Sequence, residues 1–169
     1  MRIIDISSFL AYYQDVRART RRLLTLILPE RLEWSWQPGR FTLGDQGRHI
    51  AAIKRFLCVE MVLGRPSRYV GCGPELAVGD DATRVFFDRC HAETLDLLRA
   101  LSAERLHQKC YPLGGIGITV WKWLRLLPKH EIHCCGQLYV YLAMLGIKTP
   151  PIFGLTSETV ALRSFKEKE

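Results

Sequence analysis

The segment ITVWKWLRLLPKHEIHCCGQLYVYLAML, residues 118–145, contains the most extended helical pattern in the chain. One mostly apolar register repeats along it at intervals of three or four positions: Val120, Leu124, Leu127, Glu131, Cys134, Leu138, Tyr141 and Leu145. These intervals predict an α-helix that turns one face toward a core. Gly146 is a natural C-cap, and Pro150 with Pro151 gives a stop signal after it.

Three more helices are predicted upstream of this segment. The first runs from about Ile6 to the residue before Pro29, the second from about Thr42 to about Gly64, and the third from Asp80 to about Ser102. Their capping signals are Asp5 or Ser7, Thr42 or Asp45, and the pair Asp80 and Asp81. The inward seams of the first and third are Ile6, Phe9, Tyr13, Val16, Thr20, Leu23 and Ile27, and Phe87, His91, Thr94, Leu98 and Leu101. With no convincing strand in the sequence, four helices predict an all-α four-helix bundle in one domain, residues 1–169.

The connections between these helices are long. The linker ERLEWSWQPGRF, residues 30–41, holds two tryptophans and a Pro-Gly turn signal, so we expect it to fold back over one end of the bundle. Residues 65–79 and the turn PLGGIG at 112–117 are rich in glycine and proline. Long connections favour one or two overhand crossings over a simple up-and-down order. Pro128 lies inside the last segment, where it either kinks the helix or marks its true beginning.

The net charge of +7 raises the question of an anionic partner. The cations concentrate in the first helix and around the start of the second: Arg17, Arg19, Arg21 and Arg22, then Arg40, Arg48, Lys54 and Arg55. Successive arginines point around a helix and no reading motif accompanies them, which favours a solvated exterior over a nucleic-acid surface.

The remaining composition predicts a cytoplasmic protein without a membrane span. No run of apolar residues approaches the length of a span, and the first residues lack the apolar core of a signal peptide. The six cysteines form no CxxC pair, and we interpret them as reduced thiols.

A metal site is predicted from four side chains. His130 and Cys134 are four residues apart, on one helical face, and His133 lies beside them. His49 lies near the start of the second helix, on its inward side, and a bundle can supply ligands from two facing helices. The alternative is that His49 partners a carbonyl or carboxylate and that Cys134 packs in the core.

Three stretches together resemble one known family. They are WQPGRFTLGDQGRHIAAIKRF at 36–56, PKHEIHCCGQLYVYLAMLGIKTPP at 128–151 and PPIFGLTSE at 150–158. They resemble the entry to the second helix, the last helix and the exit of the DinB/YfiT-like superfamily, a group of four-helix bundles regarded as metalloenzymes. In that family a histidine of the second helix and a His-x-x-x-His pair before Gly-Gln hold a divalent metal.

The resemblance implies a three-ligand site at His49, His130 and Cys134. Cys134 stands where the family has its third histidine; a thiolate is also a good zinc ligand, so zinc or nickel is expected. His133 is the substitute ligand if the helix rotates near Pro128. Glu131 and Gln137 are candidates for orienting a ligand or a water.

The resemblance also implies a function: a metal-dependent enzyme, either a thiol S-transferase or a hydrolase. Its partners would be a small-molecule substrate, with a low-molecular-weight thiol as one option, and a second copy in a homodimer, with neither nucleic acid nor membrane. The alternative is a non-catalytic or degenerate metal-binding bundle with a role in stress response or interaction.

Overall fold

Four long helical elements form a bundle in the computed structural model, which describes residues 3, 5–113 and 115–166. They are α1 (Ile6–Leu24), α2 (Leu43–Ile53) continued by α3 (Val59–Val62), α4 (Asp80–Arg99), and α6 (Leu126–Met144). The shorter elements are β1 (Lys109–Cys110), β2 (Ile118–Thr119), α5 (Val120–Leu124) and α7 (Ser157–Lys166). The predicted all-α four-helix bundle is confirmed.

The bundle order explains the long connections. α1 packs mainly against α6 and α4, while α2 packs mainly against α4 and α6. The consecutive helices α1 and α2 are therefore diagonal partners, and so are α4 and α6. The chain must cross an end of the bundle at residues 25–42 and again at residues 100–119, which a short loop cannot do.

The predicted caps are confirmed for the first two helices. The Asp5 carboxylate accepts a hydrogen bond from the backbone N–H of Ser8 at 2.8 Å. Thr42 and Asp45 form a reciprocal capping box at the start of α2. The prediction for α4 is wrong in detail, because its N-cap is Gly79 at φ +83° and the Asp80 carboxylate bonds Arg84 instead.

The second predicted helix contains a π-helical turn, Lys54–Cys58, between α2 and α3. The Val59 N–H donates to the Lys54 carbonyl, five residues back. Two carbonyls of this turn accept bonds from elsewhere: Phe56 from the Arg68 N–H at 2.7 Å, and Cys58 from the Trp123 indole at 3.0 Å. The turn therefore links the second helix to the connection that holds Arg68 and to the helix α5 that holds Trp123.

The last predicted helix begins later than expected and is broken. α5 ends at Leu124 and α6 begins at Leu126. Pro128 explains the break, since its ring clashes with the carbonyl four residues earlier, that of Leu124, and it has no N–H to donate. The structure therefore agrees with the second sequence interpretation, in which Pro128 marks the beginning of the helix that carries His130. At the other end Gly146, at φ +71°, forms the predicted C-cap.

The sequence prediction lacks three elements, the strands β1 and β2 and the helix α7. β1 and β2 pair antiparallel across the glycine-rich turn, in the register Lys109 with Thr119 and Cys110 with Ile118. Strands of two residues are too short to show an alternating pattern. α7 begins inside the segment 150–158 that resembles the family exit, and nearly all its described side chains are exposed, so no buried periodic face marks it.

The core has two hydrophobic clusters among the described residues, separated by a polar layer. One cluster includes Leu23, Ile50 and Leu138, and the other includes Tyr13, Val59 and Leu127. Buried polar side chains lie between them on all four long helices: Arg17 and Thr20, Lys54, Thr94, and Glu131. We call these five residues the polar layer.

The prediction that the cations are solvated is wrong for four of them. Arg17, Arg48, Lys54 and Arg55 are each less than 9% exposed. Each has a carboxylate partner that the sequence did not reveal: Glu131 for Arg17 and Lys54, Glu33 with Asp45 for Arg48, and Glu60 with Glu93 for Arg55.

None of the six cysteines, all of which lie among the described residues, forms a disulfide in this structure. Among the described residues no helix is long and apolar enough to cross a membrane.

Candidate metal centre

The second and last helices bring the predicted ligands together. His49 lies in α2, whose start is fixed by the capping box, while His130 and Cys134 lie in α6, which begins at the Pro128 break. α2 and α6 pack against each other in the bundle. Residues that are eighty-one positions apart in sequence therefore meet across one helix interface.

The ligand atoms are close to one another. His49 Nε2 lies 3.0 Å from His130 Nε2, and Cys134 Sγ lies 3.7 Å from His130 Nε2. All three ligand atoms are within 4.8 Å of one another. His133, the predicted substitute, is not part of this cluster; its side chain is exposed at the wall of the adjoining cavity.

The donor set suits a tetrahedral divalent ion, and the two separations measured from His130 Nε2 are near those of such a site. Zinc–nitrogen bonds of about 2.0–2.1 Å and a zinc–sulfur bond of about 2.3 Å imply nitrogen–nitrogen and nitrogen–sulfur separations of about 3.3 and about 3.6 Å at tetrahedral angles. The observed 3.0 and 3.7 Å are close to these separations. Two imidazoles and a thiolate form a ligand set that zinc accepts.

The imidazoles are held in the neutral form that a ligand needs. Burial, together with the nearby Lys54 ammonium and His49, lowers the pKa of His130 to about 4. Burial and Lys54 lower the pKa of His49 in the same direction. Burial raises the pKa of the Cys134 thiol to about 11, although Lys54 opposes the shift. Binding a metal at Cys134 therefore requires the thiol to release its proton.

Tyr69 fixes the orientation of His49 and was missed by the sequence prediction. Its hydroxyl lies 3.0 Å from His49 Nδ1. If Nδ1–H donates to this oxygen, the lone pair of Nε2 faces His130 and Cys134. Tyr69 reaches His49 because the π-helical turn binds the neighbouring Arg68 N–H. A tyrosine in a glycine-rich loop gave no periodic signal that could have revealed this contact.

A cavity of about 640 Å³ adjoins the three ligands. The predicted fold-back of the 30–41 linker forms much of its wall, through Trp36 and Phe41. The Phe41 ring meets the His49 ring edge to face at 5.3 Å between centroids. Gln137, a predicted orienting residue, is exposed at this wall. The cavity is therefore large enough to admit a small molecule beside the three candidate ligand atoms.

Glu131, the other predicted orienting residue, lies in the polar layer. It is fully buried, forms an ion pair with Lys54, and lies 3.6 Å from Arg17 Nη1. Burial alone would raise its pKa, but the two cations outweigh burial and hold the pKa below the ordinary value. It follows His130 directly, so this ion pair anchors α6 beside the ligands.

Solved structures of similar fold come from DinB-like proteins. A DinB-like protein of Bacillus subtilis, YjoA, is 19% identical with a TM-score of 0.70, over 87% of this chain and 97% of that chain. A second similar structure is that of YfiT of Bacillus subtilis, which is described as a probable metal-dependent hydrolase with an unusual four-helix bundle topology. It is 15% identical with a TM-score of 0.67, and the match covers 85% of this chain and 89% of that chain.

A third similar structure is a mycothiol-dependent maleylpyruvate isomerase. It is 17% identical with a TM-score of 0.60, and the match covers 77% of this chain but only 59% of that chain. At these identities the structures establish the fold alone. No curated protein sequence gives a significant match.

The DinB superfamily model matches residues 12–138 of the sequence. The matched range extends over most of the chain and includes His49, His130 and Cys134. The chain belongs to the DinB superfamily.

Proposed function

We propose that this protein is a divalent-metal-dependent enzyme, a hydrolase or a thiol S-transferase, that acts on a small molecule in the 640 Å³ cavity. The metal ligands are His49, His130 and Cys134. The observation that carries the proposal is the convergence of these three ligand atoms, within 4.8 Å, at the wall of that cavity. Three protein ligands beside a cavity are typical of catalytic rather than structural zinc sites.

Each neighbouring residue has a defined part in this proposal. A divalent ion supplies Lewis acidity and lowers the pKa of a water or thiol at its open side. Tyr69 keeps His49 in the ligating tautomer. His133, exposed at the cavity wall, offers an imidazole nitrogen that accepts or returns a proton. Gln137 offers a carboxamide that orients the reacting molecule.

Two similar proteins support the two reaction classes. YfiT is described as a probable metal-dependent hydrolase, and the isomerase as mycothiol-dependent. Zinc is the first expectation for the metal, because a thiolate and two imidazoles suit it, and nickel is the second.

The test is metal analysis of untagged protein purified without chelator. We expect one equivalent of metal in the wild type and its loss in His49→Ala and in Cys134→Ala. Cys135→Ala is the matched control, because Cys135 is the next thiol on α6 but lies outside the ligand cluster. A wild type that takes up no metal after incubation with zinc or nickel would refute the proposal.

The alternative is a metal-binding bundle without turnover, with a role in interaction or stress response. The burial of Cys134, which is 2% exposed, is the observation that favours it. It predicts stoichiometric metal but no activity against thiol-transfer and ester-hydrolysis substrates. Turnover that is lost in His49→Ala would exclude it.

A further inference from the structure

The cavity beside the ligand cluster has an uneven charge. Arg40 and the imidazoles of three histidines contribute to its wall, and within the described part of the chain no aspartate or glutamate does. Its aromatic surface comes from Trp36, Phe41 and Tyr141. A cavity with a cation and no carboxylate attracts anionic molecules and rejects cationic ones.

A tight turn presents Arg40 at this cavity. Gly39 has φ +78°, and the Arg40 N–H donates to the Gln37 carbonyl at 3.2 Å. Pro38 at the second position of this turn and Gly39 at the third are typical of a type II turn. The Arg40 guanidinium lies 5.7 Å from the centroid of the Trp36 ring. Arg40 is exposed, and it is in none of the ion pairs among the described residues, so its donors are available to a ligand.

Gln46 supplies a second, independent sign of a ligand. It contributes to the cavity wall and is only 3% exposed, yet its Oε1 has no hydrogen-bond partner. A buried carboxamide without a partner costs free energy, which a hydrogen bond to a bound molecule would recover. Gln46 precedes His49 by three residues on α2 and therefore lies on the same helical face.

We propose that this cavity selects small carboxylates, with Arg40 binding the carboxylate at the mouth and Gln46 bonding a polar group next to the ligand cluster. The proposal rests on the metal-dependent function above, for which it names the substrate class. A single guanidinium matches one carboxylate in bidentate geometry. A phosphate group usually recruits more donors than the one arginine and one carboxamide present here.

The test uses S-methylglutathione and its dimethyl ester in calorimetric titrations of the metal-loaded protein. The pair differs in charge, and the methylated sulfur removes the thiolate that a metal would bind. We expect the wild type to bind the acid roughly tenfold more tightly than the ester, as charge-assisted hydrogen bonds predict. Arg40→Gln should bind the two equally. Arg31→Gln, an exposed arginine of the same linker outside the cavity, should keep the tenfold preference.

Gln46 is tested with two substitutions. Gln46→Leu should weaken both probes by about fivefold, because a neutral hydrogen bond is lost in each case. Gln46→Glu should weaken the acid but not the ester, since it places a second anion in the cavity. Equal binding of acid and ester by the wild type, or displacement of the acid by millimolar inorganic phosphate, would overturn the proposal.

The same titrations separate this proposal from the metal-dependent function. Repeated on protein treated with chelator, they should give the same ratio of acid to ester affinity. Stoichiometric metal with no preference for the acid refutes carboxylate selection alone. A preference for the acid in a protein that takes up no metal refutes only the metal-dependent function.

Discussion

At the residue scale, His91 should make the fold sensitive to acid. Its ring packs edge to face on Tyr13 at 5.3 Å, and its Nδ1 is buried without a partner. Burial, and after it the charge of Arg17, lowers its pKa to about 4. Above pH 6.5 both folded and unfolded chains are neutral at this site. As the pH falls from 6.5 toward 4, the unfolded chain binds a proton that the folded chain does not, so stability falls.

This prediction is checked by urea denaturation at pH 7 and pH 4.5. The free energy of unfolding of the wild type should fall by about 2 kcal/mol more than that of His91→Gln over this range. An equal fall in both proteins would contradict the role given to His91.

The second prediction at the residue scale concerns the contribution of Lys54 to stability. It is 2% exposed and pairs with the fully buried Glu131. Lys54→Met leaves this carboxylate with Arg17 alone, so we expect a loss of about 3–5 kcal/mol in the free energy of unfolding. Lys129→Met, an exposed lysine of α6, should change it by less than about 0.5 kcal/mol. If Lys54→Met lowers the free energy of unfolding by less than about 1 kcal/mol, Arg17 alone is sufficient to compensate the buried charge of Glu131.

At the element scale, the start of α2 determines how firmly His49 is held. The Asp45 N–H donates to the Thr42 hydroxyl at 2.9 Å, and the Thr42 N–H donates to the Asp45 carboxylate at 3.0 Å. Thr42→Ala removes the first of these bonds and should cost about 1 kcal/mol of unfolding free energy. Thr25→Ala, an exposed threonine just after α1, is the control and should cost less. Equal costs in thermal or chemical denaturation would argue against the capping box.

The elements also show where sequence patterns succeed and where they fail. The core seams of α1, α4 and α6 were predictable because their periodicity records a buried face. The break before Pro128 was predictable in kind, since proline acts on the residue four positions earlier. The π-helical turn was not, because it involves contacts from two distant residues, from Arg68 to the Phe56 carbonyl and from Trp123 to the Cys58 carbonyl.

At the scale of the whole molecule, α7 should be dispensable for stability. The described side chains of Ser157–Lys166 are exposed almost throughout. A chain that ends at Leu155 should therefore unfold within about 0.5 kcal/mol of the full chain and bind metal equally. Circular dichroism with urea titration measures the free energy of unfolding, and metal analysis measures the metal bound. A clear loss of either would mean that α7 packs on the bundle.

Contacts between residues that are distant in sequence were the hardest feature of the whole molecule to predict. His49 and His130 were paired by residue type and by family resemblance, and the structure brings them together with Cys134. The burial of Arg17 and Lys54 was not foreseen, because their partner Glu131 lies on a helix that is distant in sequence. Arg48 and Arg55 each have one carboxylate partner within five residues, Asp45 and Glu60, but no sequence pattern showed that these pairs are buried. The contact between Tyr69 and His49 was not predicted either, because Tyr69 lies in a loop without a periodic pattern.

The polar layer has a consequence for how such a molecule can diverge. It separates the apolar cluster around the cavity from the cluster at the opposite end, so each packs largely against itself. Substitutions more than about 10 Å apart without shared partners usually have additive effects on stability. One end can therefore accumulate new linkers and new ligands, such as Cys134 in place of a histidine, while the other end keeps the chain folded. The layer therefore divides the bundle into a cavity end, where substitutions can change the ligands, and an opposite end whose packing those substitutions leave unchanged.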